Sequence, residues 1–448
     1  MRTLGSPTRI RSGIQSGPAG TLAVLAGTQF VAGIGFYAVT AHLVMHLRHG
    51  LGLLAVGASV VIGIRTIVQY GLYLPAGVLA DRLGPARTAA LACALRAAGF
   101  AALATATRFP ALVGAMILIG VGGCVYTPAG YSILAGLPDR WARRGFAWYT
   151  AAGQLSAVAG PVVGLVLVAG PDGFAGLAWL AAVAWAVAAM LMASLGSAAR
   201  GRGAVPTTPV RSAVRAVRHD RALLRFALAV SPATLLITQA AVVVPLAVFD
   251  IRLTTLFLSG GAICAAAAQF PFWRATLIRH GLSLGFGSFA TAYALLIPAT
   301  VLPADASRTT LVGLAGALYG LAQGALLPAL FHQTRRLAPP GLSGVYFGAV
   351  NFVTGVAALA GGTATGLLFD HGSVGTVMAL TGLGTSAALA IKTSPSRPRR
   401  QEHDPPARHR RSLPWPRSGS DLSGAPGGCP DPERSPDNVS VAQSGAAR

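Results

Sequence analysis

The chain has 448 residues, 53% of them hydrophobic and only 11% charged, with a mean hydropathy of +0.60. That balance excludes both a soluble globule and a disordered chain. The formal net charge of +22 comes almost wholly from Arg, with Lys392 the single Lys, and these Arg are spread over alternate loops, which argues against a nucleic-acid surface.

In chain order, residues 1–20 are rich in Arg, Gly and Ser and lack the short apolar core and small-residue cleavage site of a secretory signal. They are expected to be a cytoplasmic segment ahead of a retained first helix. Six apolar stretches follow within 21–195: Thr21–Leu47, Leu51–Ala80, Thr88–Thr107, Ala111–Leu137, Ala147–Ala169 and Phe174–Leu195. A polar, Arg-bearing linker, 196–221, comes next, with room for a short amphipathic helix from Val210 to Arg221. Six more stretches occupy 222–393: Ala222–Phe249, Leu253–Phe272, Leu282–Leu302, Thr309–Leu330, Leu342–Phe369 and Val374–Ile391. Each has the roughly 20 residues that a 30 Å hydrocarbon core demands. Backbone polar groups cannot stay unpaired in lipid, so each must be a helix.

The expected fold is an all-α membrane protein of twelve transmembrane helices in two six-helix bundles. Gly120 and Pro128 of the fourth helix recur as Gly320 and Pro328 of the tenth, a mark of internal repetition. The loops on the terminal side hold sixteen Arg and the opposite loops four (Arg48, Arg108, Arg252 and Arg308), so both termini are expected in the cytoplasm of a plasma-membrane protein. The tail, 394–448, is rich in Pro and Arg without apolar periodicity and is expected to be disordered.

The strongest motif lies between the second and third helices: Gly77-Val-Leu-Ala-Asp81-Arg82-Leu-Gly84-Pro-Ala-Arg87. Gly77 permits close approach of a neighbouring helix, and Gly84 permits the turn that reverses the chain. Asp81 is left free to accept charge-assisted hydrogen bonds. This pattern resembles the loop motif of the major facilitator superfamily, where it latches two bundles in the outward-facing state. The match departs after Gly84, where Pro85 and Ala86 replace the basic residues usual in the family. Arg87 stands one position late.

The fifth helix carries Gly160-Pro161-Val-Val-Gly164, a proline kink flanked by small residues. It resembles a motif of exporters in that superfamily, which implies a tightly sealed fifth helix and antiport. The alternative is a purely structural kink. Residues Arg65 through Phe100 resemble the same region of bacterial multidrug exporters in the drug:proton antiporter branch.

Two departures stand against that resemblance. Met116 precedes Gly120-Val-Gly122, where proton-coupled members carry an Arg. All seven Asp between 21 and 393 fall at helix ends or in loops, and that stretch contains no Glu. What remains at membrane depth is Arg65, Arg96 and a set of amides. Counting 1.5 Å per residue, Gln69 lies roughly 18 Å and Arg65 roughly 24 Å from Asp81 along the second helix. Substrate contacts are therefore expected from Gln29, Arg65, Gln69, Gln154, Gln239, Gln323 and Asn351. Outward snorkelling is the alternative for Arg65, and a plain interhelical hydrogen bond is the alternative for each amide. Proton-site candidates are Asp81, Asp250, His42 and His332.

No enzyme signature survives inspection. A phosphate-cradling Gly-x-x-x-x-Gly-Lys loop is lacking, no His pair has metal spacing, and the four Cys form no ligand set, so no cofactor or metal is expected. The reading is a monomeric secondary transporter exporting small amphipathic molecules by alternating access, with membrane lipids, its substrate and protons as partners. Two alternatives stay open: an importer or facilitator of a neutral or anionic metabolite, and a transport-inactive membrane sensor or scaffold.

Overall fold

The computed structural model describes residues 17–73, 83–195, 215, 217–269, 274–303, 305–339 and 342–393. The N-terminal segment before residue 17, most of the linker, the tail, and Gly77, Asp81 and Arg82 of the loop motif lie outside the described residues. Among the described residues every regular element is helical.

The first half contains α1 (Pro18–Met45), continued by a π turn over His46–Gly50, then α2 (Ala55–Gly71), α3 (Pro85–Thr105), α4 (Phe109–Ala135), α5 (Asp139–Val168) and α6 (Gly173–Ser194). The second contains α7 (Arg221–Ala229), α8 (Pro232–Val248), α9 (Ile251–Ala267), α10 (Arg274–Ala299), α11 (Ala306–Leu337), α12 (Ser343–Phe369) and α13 (Gly372–Thr393). Ten helical stretches among the described residues are long and apolar enough to cross a bilayer, α7 and α8 together forming one of them. Helices α2 and α9 are apolar but shorter, at 17 residues each.

Local chemistry explains where several helices start. The second was expected from Leu51 but begins at Ala55, because Gly52 takes a φ of +69° and Leu54 is extended. The seventh stretch breaks at Val230–Ser231 because Pro232 has no N–H to continue the ladder, and the N–H of Ser231 bonds the Leu228 carbonyl instead. Gly84 sits at φ +82°, a left-handed conformation that lets α3 start at Pro85 immediately after the loop. Asp220, Asp250 and Asp305 cap α7, α9 and α11, the first two accepting two backbone N–H groups of the first turn and Asp305 one.

The two halves pack in parallel fashion. In the first, α1 lies on α5, α2 on α4, and α3 on both α4 and α6. In the second, α8 lies on α12, α9 on α11, and α10 on both α11 and α13. The Gly120/Gly320 echo acquires a physical meaning here. A Cβ on Gly120 would meet the Arg65 carbonyl at 2.9 Å, and one on Gly320 would run into the Gly261 backbone. Both glycines thus bring the fourth helix of their half against the second, at the separation that only small residues allow.

Helix pairs α2·α12 and α5·α9 join the halves, with α1 touching α8 between them. Ser259 of α9 donates to the Val158 carbonyl of α5 at 2.8 Å. A Cβ on Gly63 would meet Leu359, and one on Gly366 would meet the Val56 backbone at 2.8 Å, so α2 and α12 run in close contact from the start of α2 towards its middle.

Candidate functional site

Near the middle of the first half, side chains of α1, α4 and α6 surround Arg96 of α3, and Arg65 of α2 shares its Phe36 ring. The Arg65 guanidinium lies 5.5 Å from the Phe36 ring centroid and that of Arg96 lies 5.1 Å from it. Arg65 donates to Gln69 Oε1 at 2.9 Å, one turn along α2 towards the terminal side. It therefore turns inward and does not snorkel outward. Arg96 is buried, with 7% of its surface exposed, and is walled by Trp185 at 4.5 Å and Tyr126 at 5.8 Å as well as by Phe36. Cation–π attraction is strongest with Trp and strengthens on desolvation.

Gly122 and Gly123 make this arrangement possible. A Cβ on Gly122 would meet Arg96 Cγ at 2.6 Å, and one on Gly123 would meet both Arg96 Nη2 and Gln69 Oε1 at 2.6 Å. The fourth helix thus lacks an Arg of its own at Met116, and an Arg of the third helix passes over its glycines instead.

The expected amides separate into three settings. Gln29 lies against Gly153, beside Gln154, and both amides are half-buried on the α1–α5 seam. Gln239 is buried against Gly362 with its Oε1 unpartnered. Gln323 and Asn351 are half-buried on α11 and α12. Neither is among the hydrogen-bond partners of Arg65 within the described residues, which are Gln69 and Thr66.

The motif of the fifth helix packs on the first. A Cβ on Gly160 would meet Tyr37 Cβ at 2.5 Å and the Ala38 nitrogen at 3.1 Å. A Cβ on Gly164 would meet the His42 ring at 2.5 Å. Between them the Pro161 carbonyl accepts a hydrogen bond from His42 Nε2 at 3.0 Å, while the buried Nδ1 has no partner. In that tautomer Nδ1 is a bare acceptor. Of the other proton-site candidates, Asp250 is the N-cap of α9 and His332 is exposed near the end of α11. Arg87 is exposed in the first turn of α3.

At the end opposite the termini the halves are joined by a carboxylate that the sequence did not single out. Asp370, following α12, accepts the backbone N–H of Ala55 at 2.7 Å and of Val56 at 2.9 Å, and Arg48 approaches it at 3.4 Å. An anion at the open start of α2 satisfies orphan donors and the helix dipole together. The aromatic walls Phe36, Tyr126 and Trp185 were also missed, since an aromatic residue in an apolar helix carries no pattern of its own.

A family model described as Major Facilitator Superfamily matches residues 25–362. An uncharacterised MFS-type transporter of Mycobacterium tuberculosis is 27% identical over 360 residues, covering 78% of this chain and 85% of the relative. The multidrug resistance protein MdtH of Aeromonas hydrophila is 26% identical over 361 residues, covering 75% and 85%. Among solved structures, a peptide transporter of the POT type in complex with sulfate superposes with a TM-score of 0.70 at 20% identity, over 85% of this chain and 95% of that one. The nucleoside transporter NupG superposes with a TM-score of 0.68 at 14% identity, over 83% and 98%. At such identities these structures speak to the fold alone. Helices of transmembrane length, repeated packing and a family match over three quarters of the sequence agree: the chain belongs to the major facilitator superfamily.

Proposed function

We propose that this protein is a secondary transporter that exports small amphipathic molecules across the plasma membrane by alternating access. In this reading the chain crosses twelve times, in bundles 21–195 and 222–393, and works as a monomer with both termini in the cytoplasm. The side chains at 29, 65, 69, 154, 239, 323 and 351 supply polar contacts to the substrate.

One observation carries the reading: the halves are fastened at one end, by Asp370 on the start of α2, while a polar cluster of Arg65, Gln69 and Arg96 lies within the apolar helices. Buried cations of this kind are expensive in a bilayer and mark transport pathways. Similarity to MdtH favours drug-like cargo and outward direction. Among the proton-site candidates His42 fits best, because its Nε2 bonds the carbonyl of the Pro161 kink that a changing fifth helix would move, while its buried Nδ1 is left without a partner.

Counterflow of a neutral amphipathic dye into proteoliposomes holding the purified chain, with and without an imposed pH gradient, tests this function. Saturable, gradient-stimulated counterflow is expected. Asp81→Asn should leave insertion unchanged and slow cycling by about one to two decades, the effect of one lost charge-assisted hydrogen bond on a two-state equilibrium. Unchanged rates at normal expression would remove the loop motif from the mechanism.

A further inference from the structure

We infer that Arg65 and Arg96 together form a receptor for one oxyanionic group of the transported molecule, whose apolar body lies along Phe36. The inference rests on the transporter reading and names the charge class of its cargo.

The two guanidiniums share one aromatic ring, at 5.5 and 5.1 Å from its centroid; Gln69 Oε1 accepts from Arg65 and, like Arg96 Nη2, borders Gly123. A single neutral amide oxygen cannot neutralise two cations. Their like charges repel in a region of low dielectric, where that repulsion is strongest. Among the described residues no carboxylate is available to relieve it. Asp220, Asp250 and Asp305 are tied to helix starts and Asp370 to the start of α2, while Asp139 is the first residue of α5 and Asp172 stands at the turn before α6.

The surroundings are also rich in unspent donors, and the neutral Tyr126 hydroxyl, buried without a partner, adds no negative charge. Arg96 Nε and Trp185 Nε1, both able only to donate, are buried without a partner. Aromatic faces hold a guanidinium in place but leave its N–H fork unspent, since cation–π attraction uses the face of the ion and not its edge hydrogens. A planar fork is the shape that binds a carboxylate through two parallel hydrogen bonds. Gly122 and Gly123 make the room that the Arg96 side chain itself occupies, so its fork lies flush against α4 beside Gln69. An incoming oxyanion can displace Gln69 Oε1 from Arg65 and take both cations at once. Phe36 offers its body an apolar surface continuous with the site.

The test uses three naphthalene compounds that share a body and differ in charge: 1-naphthaleneacetate, 1-naphthaleneacetamide and 1-naphthylmethylammonium. Binding to the full chain in nanodiscs is measured by calorimetry and by Trp fluorescence, since Trp185 lies beside the site. The acid is expected to bind at least about tenfold more tightly than the amide, and the ammonium most weakly. Arg65→Gln should erase the preference for acid over amide, the two then binding within about twofold of each other. Arg96→Lys, which keeps the charge but loses the planar fork, should reduce it in part. Naphthyl phosphate in place of the acid distinguishes a carboxylate receptor from a general oxyanion one.

Equal binding of acid and amide, preference for the ammonium, or no binding of the acid would each overturn the proposal in the wild-type chain alone. Counterflow of the neutral dye, run on the same preparation, reports separately on the transporter reading. Dye transport without acid preference would leave that function standing and remove the anion receptor.

Discussion

Asp370→Ala is expected to open the outer end of the molecule. The side chain accepts two backbone N–H groups of α2 and faces Arg48, so its loss leaves the first turn of α2 with unpaired donors and separates the halves where they are joined. Charge-assisted hydrogen bonds are worth about 1.5–3 kcal/mol each, and only the difference between the closed and open states counts. A net change of about 1.5–3 kcal/mol moves the population by roughly one to two decades towards the open form. Arg48 contributes less, because the pair is partly exposed and 3.4 Å apart. Spin labels on Thr107 and Val301, in loops of the two halves, should report a longer mean separation in Asp370→Ala than in the parent. Arg48→Ala should give a smaller change in the same direction. Identical distance distributions in Asp370→Ala and the parent would mean that this contact does not hold the closed state.

Gly160→Val should damage the first half as a folded unit. A Cβ at that position meets Tyr37 Cβ at 2.5 Å and two backbone atoms of α1, the Ala38 nitrogen and the Ile34 carbonyl oxygen, at 3.1 Å each. Tyr37 Cβ is fixed to its own backbone, so no rotamer change removes the clash, and α5 must move away from α1. Overpacking of this kind costs about 1–3 kcal/mol, and the branched side chain enlarges it. The same displacement would pull Pro161 away from His42, so residual transport should lose its response to a pH gradient. Gly114→Ala is the control, since a Cβ there meets nothing within 4 Å. Thermal unfolding of both variants in detergent checks the contrast, with a clear loss for Gly160→Val and little change for Gly114→Ala. Equal melting temperatures would show that the α1–α5 contact is looser than these distances imply.

How much was legible beforehand varies from one residue to the next. The role of Gly84 could be read directly, because a turn between two apolar helices needs a residue that tolerates positive φ. The break at Pro232 was equally local in cause yet passed unnoticed, because hydropathy continues unbroken through Val230 and Ser231. Arg96 stood in plain view as a charged residue in an apolar helix, but its partners Phe36, Tyr126 and Trp185 come from three other helices. Asp370 looked like any loop carboxylate, since the helix start that it caps lies more than three hundred residues away.

The sequence by itself determined that the chain lies in a membrane, that its elements are helices, and that its family is the major facilitator superfamily. Those properties follow from terms that act residue by residue or across one short motif: apolar transfer, backbone satisfaction in lipid, and turn chemistry. Only the tertiary structure decided which side chains meet: two arginines on one phenylalanine, a histidine on a proline carbonyl, an aspartate on a distant helix start. Such meetings depend on which face each helix turns to its neighbours. In a membrane, where polar and apolar faces are not sorted by water, hydropathy alone does not encode that face.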